Sequence, residues 1–147
     1  MDINDWVYVD HVVAFLNHRS HIGVMFFIKS SQIVWYSKRQ ATIESSTFGS
    51  ELVSMRTCLE LVKDICYKMI IMGVPVDWLN IAFGYNVSLV NGSSIPSSKF
   101  LKKNLGICYH DVREATSAGI WKVGFLKVTY NIANFLTKIL SGTANYK

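Results

Sequence analysis

Two hydrophobic periods share this chain, and they change over near residue 46. Before it, apolar residues come in short runs rich in Val, Ile, Phe, Tyr and Trp, the composition of strands. Trp6 to Phe15 is one such run, Val24-Met25-Phe26-Phe27-Ile28 a second, and Ile33-Val34-Trp35-Tyr36 a third. Asn17-His18-Arg19-Ser20 and Lys29-Ser30-Ser31-Gln32 separate them. Connections this short join antiparallel neighbours, so three consecutive antiparallel strands are predicted. After residue 46, Leu52, Met55, Leu59, Val62, Cys66 and Met69 recur at steps of three and four, the core stripe of an amphipathic helix. Its start falls at Ser46-Thr47, where a hydroxyl can cap the first turn. Its end falls at Gly73, ahead of Pro75.

The remainder alternates. Ile81-Ala82-Phe83 reads as a short buried strand, and Asn91 to Ser98, rich in Gly and Ser, as a loop. Leu101 to Ser117 reads as a helix. Trp121 to Tyr130 reads as a strand with Val123, Phe125 and Lys127 on one face, and Ile132 to Leu140 as a last helix. Three strands, a long helix, then alternating strand and helix predict a mixed α/β sheet with helices on its faces. No linker or repeat divides the sequence, so residues 1–147 read as one domain, large enough to bury a core without disulfides or metals.

Composition narrows the classes. Half the residues are hydrophobic and 13% aromatic, which excludes a disordered chain. Only 17% are charged, against about 25% in an ordinary soluble domain, so the surface leans on a partner or is under little demand for solubility. The net charge of +5 permits an acidic partner such as nucleic acid. Cys58, Cys66 and Cys108 are odd in number. On one helix, Cys58 and Cys66 stand about 12 Å apart, too far to bridge, so a reducing compartment is expected. The acidic start Met1-Asp2-Ile3-Asn4-Asp5 is unlike a signal peptide, and no apolar run approaches the roughly 20 residues that span a bilayer. An intracellular protein of cytoplasm or nucleus is the expectation.

Specific residues then align with a known pattern. Arg19-Ser20, Gly23, Trp35-Tyr36-Ser37-Lys38-Arg39-Gln40, Glu44-Ser45-Ser46-Thr47 and Ser50-Glu51 occur in order. Asn86 and Ser88, Tyr109-His110, Val112-Arg113-Glu114, Asn131 and Ala133, and Thr137-Lys138 follow them. The ordered set resembles the ribonuclease H domain of copia-type retrotransposon Pol polyproteins, over nearly the whole chain. The resemblance implies an RNase H-like α/β fold, a five-stranded mixed sheet flanked by helices. It also implies hydrolysis of the RNA strand of RNA–DNA hybrids, in a polyprotein that carries a reverse transcriptase domain. That chemistry uses two divalent cations, Mg or Mn, about 4 Å apart and held by carboxylates.

The family's four acids are three aspartates and a glutamate. By this alignment the first-strand aspartate falls on Tyr8, the helix glutamate on Glu51, the next aspartate on Tyr85 and the last on Asn134. One acid of four survives, which implies a degenerate, inactive copy whose Glu51 alone is insufficient for metal. Three more aspartates would take +5 down by 3 to +2, so the losses account for much of the basic balance. Without its partners, Glu51 reads as a first-turn acid favoured by the helix dipole. Asp10 shares a strand face with residue 8 but stands about 6.7 Å along the strand, farther than metal ligation tolerates, and is a weak rescue candidate.

Other candidates are weighed singly. His18 and His21 have metal-like spacing but lack Cys or acidic companions, and read as a solvated turn. The resemblance carries a histidine at His110, where packing and substrate positioning both stay open. Asp111 and Glu114 read as solvated helix acids. Lys38, Arg39, Lys99, Lys102 and Lys103 are candidate phosphate contacts, or an ordinary basic surface. Trp35 and Trp121 read as core or core-edge residues. Three outcomes stay open: residual nuclease through Glu51 and Asp10, a dead module that binds hybrid or a protein, and an inert relic.

Overall fold

The computed structural model describes residues 5–13, 20–28, 30–44, 46–76, 80–95 and 105–137, with the backbone alone for 5–13. Strands β1 (Asp5–Val13), β2 (Ser20–Ile28) and β3 (Ser31–Arg39) form the antiparallel meander expected from the first third. Helix α1 (Thr47–Ile71) follows, then β4 (Asn80–Gly84), α2 (Val87–Ser94), α3 (Gly106–Ser117), β5 (Trp121–Phe125) and α4 (Asn134–Thr137). The five strands make one sheet in the order β3-β2-β1-β4-β5, with β4 parallel to both β1 and β5. The mixed five-stranded sheet implied by the resemblance is the observed one, and β1 is its central strand.

The core lies between α1 and one sheet face. Leu52, Met55, Leu59, Val62, Cys66 and Met69 are all buried, as their spacing predicts. All of these but Met69 share one cluster with Ile22, Val24 and Phe26, the even positions of β2. Ser46 caps α1 by accepting from Gly49 N at 3.1 Å. At the other end Gly73 takes a φ of +76°, where glycine has no Cβ penalty, and its N–H bonds Ile70 O while Val74 N–H bonds Met69 O. Cys58 and Cys66 share α1 as free thiols. Among the described residues no helix is long and apolar enough to cross a membrane.

Several expectations need correction. Asn91 to Ser94 is helix, the second half of α2, not loop. Asn86 starts α2 by accepting from Ser88 N and Leu89 N, and Tyr109 Oη donates to Gly92 O, so tertiary bonds override a turn-like composition. β5 ends at Phe125, and the predicted strand residues Val128 to Tyr130 form a 3-10 turn, so Lys127 lies outside the strand. Glu51 is the fifth residue of α1, one turn deeper than expected, and the first turn holds no acid. Trp121 is fully buried, whereas Trp35 is 66% exposed on edge strand β3. Asp111 is not merely solvated, since Arg56 Nε donates to it at 2.8 Å. The predicted helix residues 101–104 and 138–140, and the strand end at 14–15, lie outside the described residues.

Candidate active site

β1, β4 and β5 run parallel, so their carboxyl ends meet at one rim of the sheet, where open α/β sheets characteristically bind ligands. α1 brings Glu51 to this rim. The side chain is fully buried, and its Oε1 accepts from Tyr85 N at 2.8 Å and Asn86 N at 3.1 Å. Glu51 therefore holds the backbone turn that leads from β4 into α2. The approach depends on Gly84, because a Cβ there would stand 2.5 Å from Glu51 Oε1 and 3.0 Å from Met55 Cε.

One residue before Glu51, a second buried polar group fixes the helix from the opposite side. Ser20 Oγ donates to Ser50 Oγ at 2.9 Å. Gln40 Nε2 donates to Ser50 O at 2.8 Å and to Ser54 Oγ at 3.1 Å, and Gln40 N–H bonds Ser20 O. This latch ties the start of β2 and the end of β3 to the first turns of α1. Its Ser20, Gln40 and Ser50 all belong to the motif set that suggested the family, but sequence reasoning assigned them no role.

α4 covers the other face of the sheet. Alternation along β2 turns Gly23 away from Ile22 and Val24, and a Cβ on it would meet Thr137 Cγ2 at 2.7 Å and Ala133 O at 2.8 Å. Ser37 Oγ donates to Leu136 O at 2.8 Å, pinning α4 to β3. Asn131 is buried and accepts from Ala133 N at 3.1 Å, shaping the turn into α4. Asn134 Nδ2 donates to Val128 O, a bond that an aspartate could not make.

The register decides how the strand positions relate to this frame. Tyr8 pairs with Met25 on one side and Phe83 on the other. Asp10 pairs with Gly23, the residue on which α4 rests. The paired register of β1 and β4 ends at Tyr8 and Phe83, two residues short of Tyr85. Asp10 thus lies in register with the residue against which α4 packs, while Glu51 holds the turn at Tyr85 and Asn86.

The remaining candidates scatter. Lys38 and Arg39 are exposed at the end of β3, while Lys99, Lys102, Lys103 and His18 lie outside the described residues. His21 is half-buried in β2. His110 is exposed on α3, edge-on to Tyr109 at 5.7 Å between ring centroids, with the Arg113 guanidinium over the same Tyr109 ring. Burial pushes the Cys58 thiol strongly upward and raises Cys108 less. The hydrogen bond to Asp111 raises Arg56. Among the described residues no three His, Cys, Asp or Glu side chains group closely enough to hold a metal ion.

No protein-family model matches the chain, and no curated protein matches it. Solved structures do. A ribonuclease H1 isolated from compost by a metagenomic approach is similar with a TM-score of 0.71 at 13% identity, over 92% of this chain and 94% of that one. RNase H1 from the halophilic archaeon Halobacterium salinarum gives 0.69 at 11% identity, over 91% and 94%. The fold is that of ribonuclease H. The RNase H-like chain also matches part of the foamy viral protease-reverse transcriptase solved in complex with RNA/DNA hybrid. The TM-score there is 0.50 at 13% identity, over 98% of this chain and 20% of that one.

Proposed function

We propose that this chain is a degenerate copy of a copia-type retrotransposon RNase H domain, one that binds nucleic acid weakly and has lost cleavage. The ordered motifs from Arg19 to Lys138 support the copia-type origin, and with it a former reverse transcriptase neighbour in the same polyprotein. The observation that carries the loss of cleavage is the pair Tyr85 and Asn134, a phenol and an amide at the rim that Glu51 reaches. A phenol has an unperturbed pKa of about 10 and stays protonated near neutrality. The Asn134 amide already donates to Val128 O. Magnesium or manganese pairs need mostly anionic oxygen ligands, and one Glu51 oxygen is committed to two backbone N–H groups. The residues present do not fit such a pair.

The pairing of Asp10 with Gly23, against which α4 packs, supports Asp10, rather than Tyr8, as the β1 member of the former site. On that assignment two acids of four persist, Asp10 and Glu51, and the substitutions to reverse are two. The test is cleavage of a labelled RNA–DNA hybrid in magnesium or manganese. The unmodified chain should show none above background, and Tyr85→Asp with Asn134→Asp should restore it. Restoration only after Tyr8→Asp is added would return the β1 role to residue 8. Cleavage by the unmodified chain, abolished by Glu51→Gln, would establish residual nuclease instead.

Binding needs no metal. Lys38 and Arg39, with Lys99, Lys102 and Lys103, would contact phosphates, giving affinity of roughly 10⁻⁴–10⁻⁶ M at physiological salt with little sequence preference. The solved complexes of the compost RNase H1 and of the foamy viral enzyme with RNA/DNA hybrid support hybrid as the ligand. Alanine at the three lysines should weaken binding and flatten its salt dependence together. Unchanged binding at every salt concentration would leave an inert relic.

A further inference from the structure

Phe125 closes β5 opposite Gly84, one residue before Tyr85. From there Leu126 N–H bonds Gly84 O at 2.8 Å, and the chain passes through the 3-10 turn Val128–Tyr130 to reach α4 on the opposite sheet face. It therefore runs from the carboxyl-end rim onto the sheet face that α4 covers. Along this stretch the large rings turn to solvent: Phe125 is 47% exposed, Tyr130 69% and Phe135 63%. The other exposed Phe, Tyr or Trp residues among those described are Trp35 and Tyr67, so three of five fall within residues 125–135.

The same stretch carries one sign of charge. Residues 115–147 contain Lys122, Lys127, Lys138 and Lys147 and no Asp or Glu, so four of the net five positive charges lie there. Lys122 and Lys127 are exposed beside the rings in sequence. Solvent-facing rings interleaved with lysines, in a stretch without acids, suit a polyanion whose flat π faces are accessible. Bases in a duplex stack on one another and hide those faces; bases in a single strand do not.

From this we infer that the stretch from β5 to α4 is a stacking site for single-stranded nucleic acid, with Tyr130 and Phe135 as platforms and Lys122 and Lys127 on phosphates. The inference rests on the reading that the chain binds nucleic acid, and names a ligand that the hybrid reading does not. Fluorescence anisotropy with a labelled fifteen-residue thymidine strand and, separately, a labelled RNA–DNA hybrid tests it on the full chain. The parent should bind both. Tyr130→Ala and Phe135→Ala should each weaken strand binding by roughly five-fold or more and leave hybrid binding unchanged.

Tyr130→Phe and Phe135→Tyr, which keep the ring, should bind the strand as the parent does. Lys122→Gln with Lys127→Gln should lower the slope of log affinity against log salt by about 1.4 for the strand. That pair keeps the test open if an alanine variant does not fold. Hybrid binding without strand binding by the parent would overturn this site and leave the proposed function standing. Strand binding that survives loss of both rings would overturn it as well. Absence of both kinds of binding would sink the two together.

Discussion

Ser50 and Glu51 are neighbours on α1, yet they belong to two buried polar regions with different jobs. The latch around Ser50 keeps Ser20, Gln40 and Ser54 in a connected set of hydrogen bonds. The rim around Glu51 holds a phenol and an amide where the resemblance implies carboxylates. The latch joins two strand ends to a helix, so losing a member leaves buried donors and acceptors without partners and costs folding free energy. A cluster of acids costs folding free energy instead, because like charges repel when no cation sits among them. Chemistry at the rim can therefore be lost without loss of fold, whereas the latch cannot.

The largest test of that contrast is packing beneath both regions. Leu52, fully buried one residue after Glu51, should cost about 2–5 kcal/mol as alanine in urea unfolding. A smaller cost would mean that the latch and not the stripe seats α1. Gln40→Ala should cost about 1–3 kcal/mol, since Ser50 O and Ser54 Oγ lose a donor inside the protein.

Glu51 divides the two roles of a carboxylate. Glu51→Ala should cost about 1–3 kcal/mol by stranding Tyr85 N and Asn86 N, whereas Glu51→Gln keeps an acceptor and should cost less. Equal costs would show that charge, not acceptance, holds the turn. Asn134→Asp removes the donor to Val128 O and should cost about 1 kcal/mol even where it helps restore cleavage. Asp111→Ala breaks a half-exposed pair between α1 and α3, and should cost at most about 1 kcal/mol, less in high salt.

Alkaline pH should separate core from rim. Desolvation raises Cys58 in the folded chain, so the unfolded chain loses its thiol proton first. Stability is complete below the unfolded thiol pKa of about 8.5 and falls as pH rises above it toward the higher folded value. Cys58→Ala should remove part of that decline, measured as thermal midpoint against pH.

How legible each part was follows from the range of its determinants. The α1 stripe and the Ser46 cap are local patterns, and both appear where the spacing placed them. α2 escaped notice because Asn91-Gly92-Ser93-Ser94 reads locally as a turn, while the bond that holds it comes from Tyr109, seventeen residues on. Phe125 closes β5 because the chain then turns across Gly84, a constraint absent from its own alternation. At the rim, sequence order alone favoured Tyr8 over Asp10. The proposal of Asp10 instead rests on its pairing with Gly23, which leaves no mark in the run Trp6 to Phe15.

Gly23 leaves a trace of another kind. With room there for a hydrogen but not a methyl group, any heritable change from glycine would push α4 off the sheet. In a lineage drifting without demand for cleavage, substitutions at residues 85 and 134 would accumulate at the neutral rate, while those at 23 and 84 would be purged wherever a folded product is still retained. Counting changes at these two pairs of sites across sister copies would separate the demand for chemistry from the demand for a folded protein.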